Sequence, residues 1–209
     1  MHPSNLHHSN AAQSKDNPGL NTWLNQRTSG FQVAFFGAVF ASAIILIPLL
    51  ASFISTEMDW SLFDFVLIWT LLFCAGALYK WITLFANDRG YRAAVGLSIF
   101  TGVFIIWSNL GVGIVGSEDE AFNLLYFALL GIGLIAAFWV RFKAKGMAIV
   151  MLSLALGLVL IMLLAFGFGL HRIPQSSSIQ IIAIHFFLMV PMLLTAILFH
   201  HAANDQAGE

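Results

Sequence analysis

The chain has 209 residues, of which 59% are hydrophobic, 14% aromatic and only 9% charged, with a mean hydropathy of +0.87. Soluble domains carry about 25% charged and 45–50% apolar residues, so this composition excludes a disordered chain, a disulfide-framed secreted module and an ordinary water-soluble domain. A net charge of −1 supplies no basic footprint for phosphate backbones, which excludes a nucleic-acid partner.

The chain opens on a polar segment, residues 1–30, in which Leu20, Trp23 and Leu24 predict a short interfacial helix with Arg27 turned toward headgroups. This segment lacks a signal-peptide pattern, and the first long apolar run lacks a small-residue cleavage site, so that run is read as a retained anchor. A crossing needs about 20 mostly apolar residues to cover roughly 30 Å of hydrocarbon. Six stretches meet that requirement, at 31–54, 61–86, 93–116, 121–142, 146–170 and 179–200, and residues 201–209 follow as a polar tail. The second carries Asp64 near one end and Lys80 near the other. They lie about 24 Å apart on a helix, within snorkelling reach of opposite interfaces. The expected fold is all-α, a polytopic six-helix antiparallel bundle of sequential neighbours joined by short loops.

Orientation follows from the cations. Lys15, Arg27, Lys80, Arg89, Arg92, Arg141, Lys143 and Lys145 fall on one side of this topology and only Arg172 on the other. The positive-inside rule makes the first side cytoplasmic and places both termini there. Trp23, Trp81, Tyr91 and Trp139 mark the inner interface and Trp60 the outer one. Each helix entering from outside starts with a capping-box pattern: Ser61 to Asp64, Ser117 to Glu120, and Ser177 to Gln180.

Polar and small residues inside the spans are the candidate functional groups. At about 100° per residue, Ser98, Gly102, Asn109, Gly113 and Gly116 share one face of the third span, a stripe on which a second helix can pack closely. Gly111 to Gly116 matches the dinucleotide fingerprint, but it ends a membrane helix instead of opening one after a strand, so its glycines serve packing and termination. Asn109, Asn123 and His185 lie roughly 9–10 Å inside the outer boundary, with Asp64 shallower. Glu57, Asp59, Glu118, Asp119, Glu120 and His171 border the same face. Intramembrane polar groups are costly. Asp64, Asn109, Glu118, Asn123 and His185 therefore read either as an outward-facing vestibule for a cation, a proton or a small ligand, or as caps and helix-pairing groups.

His185, Met189 and Met192 share one face of the sixth span beside Pro191. Imidazole and thioether suit copper or haem iron, and methionine equally fills irregular interiors. The terminal His2, His7, His8, His200 and His201 are solvated candidates at best for a pH or metal response. Arg141, Lys143 and Lys145 lie where anionic lipid headgroups concentrate. The single cysteine, Cys74, permits no disulfide within the chain. There is no Gly-x-Ser-Gly turn, no histidine-glutamate zinc motif, no phosphate loop and no lysine in the sixth span, so no catalytic residue and no cofactor is assigned.

The stretch Tyr91-Arg92-Ala93-Ala94-Val95-Gly96, with Trp107 through Asp119 and on to Asn123, Leu124, Tyr126, Arg141, Phe142 and Gly146-Met147, carries a resemblance. It resembles a group of small bacterial multi-pass inner-membrane proteins with a Tyr-Arg entry and a Val-Gly-Ile-Ile-Gly-Ser-Glu-Asp exit, a group that brings no known activity with it. Where those proteins carry Asn-Pro after the Glu-Asp pair, this chain has Glu120-Ala121. Their shorter length implies a helical pair at 31–87 ahead of a four-helix unit at 88–200. The resemblance implies a bacterial cytoplasmic-membrane setting and nothing catalytic.

Three functional readings stand at this point. The first is a non-catalytic accessory or assembly component, with the lipid bilayer and a membrane-protein partner or a second copy as its contacts. The second is a small transporter or channel using the outer polar layer. The third is a haem or copper membrane protein using His185 and the methionines.

Overall fold

In the computed structural model, residues 18–54, 61–84, 86, 88–174 and 176–208 are described, with side chains described from residue 30 onward except at 48, 51–54 and 206–208. The terminal histidines His2, His7 and His8 and the residues Lys15, Glu57, Asp59 and Trp60 lie outside the described residues, as do the side chains of Leu20, Trp23, Leu24 and Arg27. The fold is all-α, with no strand among the described residues. Its six long helices are α1 (Pro18–Ile54), α2 (Leu62–Thr83), α3 (Arg89–Gly111), α4 (Leu124–Trp139), α5 (Ala144–Gly167) and α6 (Ser178–Gly208). Short 3-10 turns occupy Ala121–Asn123 and Leu170–Arg172. Counting α4 together with the 3-10 turn that leads into it (Ala121–Trp139), all six helices are long and apolar enough to cross a membrane.

Several helix ends differ from expectation, each for a local reason. α1 is one helix of 37 residues, so the expected separate interfacial helix is its first turns. Pro18, with no N–H to leave unpaired, suits that starting position. α3 starts before residue 93 because the Asp88 carboxylate accepts from the N–H groups of Gly90 (3.0 Å) and Tyr91 (2.8 Å). It stops at Gly111, so Gly113 and Gly116, expected on the third span, lie beyond it in left-handed backbone at φ 73° and 77°. α4 ends before residue 142 because Arg141 and Phe142 both take left-handed backbone at φ 55°. α5 ends three residues before 170, with Gly169 at φ 75° behind it. α6 continues through the polar tail as far as Gly208.

Two of the three expected capping boxes are present. Asp64 Oδ2 accepts from the Ser61 N–H at 2.8 Å while Ser61 Oγ accepts from the Asp64 N–H at 3.3 Å. Gln180 Oε1 and the Ser177 N–H pair at 2.7 Å, with the Gln180 N–H returned to Ser177 Oγ at 3.2 Å. The third is absent. The Glu120 N–H donates to the Ser117 carbonyl in a backbone turn, and Glu120 makes no side-chain cap.

The chain divides into two compact units, Met1–Leu84 and Phe85–Glu209. In the first, α1 and α2 pack at a glycine crossing. A Cβ at Gly37 would lie 2.8 Å from the Phe73 carbonyl oxygen, and one at Gly76 would lie 3.1 Å from the Gly37 Cα. Trp69 Nε1 donates across the pair to Ser42 Oγ at 3.2 Å. In the second unit α6 is central, with α5 on one side and α3 on the other, and α4 packs on α5. Here α3 packs on α6 much more than on its chain neighbour α4, unlike the expected bundle of sequential neighbours. The fully buried side chains of this unit include Ile105, Tyr126, Leu158, Leu188, Thr195 and Phe199.

The expected close-packing stripe on α3 is not formed. A Cβ at Gly102 would meet nothing within 4 Å, and the Ser98 hydroxyl bonds back to the Ala94 carbonyl of its own helix. Gly37→Val should therefore lower the stability of the helical pair by about 1–3 kcal/mol in a detergent unfolding titration, because the new methyls meet backbone that cannot retreat. Gly102→Ala should cost less than about 0.5 kcal/mol in the same titration. Equal losses would contradict the glycine crossing.

Candidate functional site

The end of the four-helix unit that carries the loop after α3 is organised by one amide. The 3-10 turn Ala121–Asn123 directs the Asn123 side chain back across the loop that follows α3. Its Oδ1 accepts from the Val115 N–H at 3.1 Å. Its Nδ2 donates to the Val115 carbonyl at 3.1 Å and to the Ser117 carbonyl at 2.8 Å. The planar amide thus does for Val115 what a neighbouring strand would do, pairing both of its backbone groups. Val115 is fully buried and Ile114 nearly so. The fold of the loop requires Gly113, whose missing Cβ would collide with the Ser117 carbonyl oxygen. The Gly116 N–H then donates to Ser176 Oγ at 2.6 Å, tying this loop to the one before α6.

A second buried pair lies between α4 and α6. His185 Nδ1 stands 2.7 Å from the Ile181 carbonyl, which can only accept, so in the neutral ring that nitrogen carries the proton. Nε2 is then an acceptor, and the Tyr126 hydroxyl donates to it at 2.9 Å. Both ring nitrogens of His185 are therefore hydrogen-bonded within the protein. Met192 is buried, as befits core packing. Among the described residues no group of three or more His, Cys, Asp or Glu side chains converges as a metal site.

Asn109 is different. Its Nδ2 donates to the Ile105 carbonyl of its own helix at 2.8 Å, which fixes the amide orientation, and its Oδ1 is buried with no hydrogen-bond partner. Asn109, Asn123 and His185 are 3%, 3% and 2% exposed, so each is enclosed within this unit. Glu118 is exposed in the turn beyond it. Asp64 belongs to the other unit, where it caps α2. A groove of about 540 Å³ between α3 and α6, lined by Phe100, Thr101, Phe104, Phe186, Phe187 and Pro191 among others, is apolar and holds none of the five expected residues.

At the opposite end of the unit, the Tyr91 hydroxyl donates to the Phe142 carbonyl at 2.6 Å and its ring meets Phe199 edge-on at 5.4 Å. Arg141, Lys143 and Lys145 are exposed around that turn.

Tyr126 and Ser176 were not among the residues singled out as site candidates from sequence. Each meets its partner across more than fifty residues of chain. Comparison with family models, curated proteins and solved structures finds no match for the chain.

Asn123→Ala leaves three backbone groups unpaired, and Tyr126→Phe leaves one ring nitrogen unpaired. Single buried hydrogen-bond partners cost about 1–3 kcal/mol when removed, and membrane interiors give the lower part of that range. Asn123→Ala should thus cost about 2–3 kcal/mol and Tyr126→Phe about 1 kcal/mol in detergent unfolding. A smaller loss for Asn123→Ala than for Tyr126→Phe would refute the clamp.

Proposed function

We propose that this chain is a non-catalytic integral membrane component that acts by assembling with another membrane protein or with copies of itself. The observation that carries this reading is the engagement of Asn123, His185 and Tyr126 in bonds that close the fold. Polar groups held in this way position helices and loops, and they do not face a pathway. The large apolar helix faces left uncovered, Phe186, Phe187 and Val190 on α6 among them, suit contact with lipid or with a second membrane protein. The excess of Lys and Arg in the turns at one side supports cytoplasmic termini, and the resemblance of the Tyr91–Met147 stretch supports a bacterial inner membrane.

One observation favours the transporter reading as a second possibility: the unpartnered Oδ1 of Asn109, an acceptor inside a membrane helix layer. Reconstituted vesicles distinguish the two. As an assembly component the protein should pass neither protons nor monovalent cations faster than empty vesicles, and gentle extraction should recover a stoichiometric complex. Asn109→Ala and His185→Ala should change thermal stability only. Measurable flux that either substitution abolishes while the melting temperature stays unchanged would replace the assembly reading with the transporter one.

A further inference from the structure

The inner turn between α4 and α5 has a construction that the cation count alone does not explain. Its backbone is held in a conformation that residues with a side chain rarely adopt, with Arg141 and Phe142 in succession at φ 55° and no glycine to ease it. The Arg141 and Lys143 N–H groups close the turn locally on the Phe138 and Val140 carbonyls at 3.0 and 3.2 Å, and two further links engage Phe142. The Phe142 N–H returns to the Ala137 carbonyl at 3.0 Å, and the Phe142 carbonyl accepts the Tyr91 hydroxyl from the first turn of α3 at 2.6 Å. The second link brings Arg92, the chain neighbour of Tyr91, to the same end of the unit as the turn.

The result is a fixed display of cations. Arg92, Arg141, Lys143 and Lys145 are exposed, and among the described residues none of them has an ion-pair partner. The nearest acid in sequence to the α3 end of this patch, Asp88, is already engaged by the N–H groups of Gly90 and Tyr91. Lys143 stands at the start of α5, which has no side-chain cap, so the first-turn N–H groups of that helix add to the same positive field. The patch lies where the apolar stretch Ala144–Gly167 begins, and a bilayer carries its phosphates at the ends of such crossings.

We propose that this turn is a binding site for the phosphate of an anionic phospholipid, with Arg141, Lys143 and Lys145 as its cationic contacts and Tyr91 as the residue that holds its shape. Location selects the lipid over free phosphate. An anion there is already delivered by the bilayer surface, and Trp139, 88% exposed just before the turn, suits the same interfacial layer. Arg supplies a planar fork matched to phosphate oxygens, which an exposed lysine alone does not.

The test uses the full chain in nanodiscs of phosphatidylcholine containing one-fifth phosphatidylglycerol, with retained lipids counted by native mass spectrometry. The native chain should retain phosphatidylglycerol at least about tenfold over its share of the disc. Combined replacement of Arg141, Lys143 and Lys145 by Gln should remove the preference. Arg141→Gly removes one cation while suiting the φ 55° backbone, so it folds and should reduce the preference severalfold. Tyr91→Phe keeps every charge but removes the turn's tie to α3, and it too should lower the preference. No preference in the native chain, or an undiminished preference in the Arg141→Gly chain, would overturn the proposal. So would an undiminished preference in Tyr91→Phe, which is the mark of diffuse charge attraction. Millimolar inorganic phosphate in pure phosphatidylcholine discs should leave the melting temperature unchanged, and a rise equal to that given by phosphatidylglycerol would assign the site to free phosphate instead.

Discussion

A backbone N–H or carbonyl removed from water must find its partner inside the protein, and in the four-helix unit one side chain meets that demand where no helix can. The loop after α3 carries Ile114 and Val115 into the interior, where neither a helical nor a sheet partner is present. Asn123 substitutes for the missing strand by pairing both backbone groups of Val115. Much follows from that arrangement. α3 has to stop at Gly111, and Gly113 has to be left-handed and without a side chain. The next helix begins with a 3-10 turn that aims Asn123 backward, and the loop is placed where its Gly116 N–H can reach Ser176.

The same demand explains most of the other polar groups in the spans. The hydroxyls of Thr70, Thr83, Ser98, Thr101 and Thr195 each bond to a carbonyl four residues back on their own helix, so a polar atom inside the bilayer costs little. Helix starts are closed by Asp88, by Ser61 with Asp64 and by Ser177 with Gln180. His185 and Tyr126 satisfy each other. Against this background Asn109 stands out, because half of its amide is paired and half is not. Individual hydrogen bonds within membranes contribute modestly, so the selective force on these groups is the larger cost of leaving one unpaired.

Hydropathy and length made the six crossings and the all-α class legible, because roughly 30 Å of hydrocarbon dictates about 20 apolar residues whatever the tertiary fold. Local capping was legible for the same kind of reason: Ser61, Asp64, Ser177 and Gln180 act within four residues of chain. The closest helix approach was not. Gly102 and Gly37 both read as small residues in apolar helices, and only the identity of the facing helix separates them: Gly37 meets α2, and Gly102 meets open space. The left-handed turn at Arg141 and Phe142 carried no glycine or asparagine signal, and one of the bonds that hold it comes from Tyr91, fifty-one residues away. Of the candidate site, the polar residues were visible one by one. Their partners were not, because the folding of the chain and not the spacing of residues brings Tyr126, Val115 and Ser176 into place.

The functional reading depends on that closure, because side chains that hold a loop shut are not free to line a passage. Amide hydrogen exchange resolved by residue in detergent micelles tests it most directly. With Asn123 clamping the loop, the Val115 and Gly116 amides should exchange at least about 100-fold more slowly than those of Glu118 and Asp119 in the adjoining turn. Exchange of all four at one fast rate would show the loop after α3 to be open, and the Asn123 clamp would have to be abandoned.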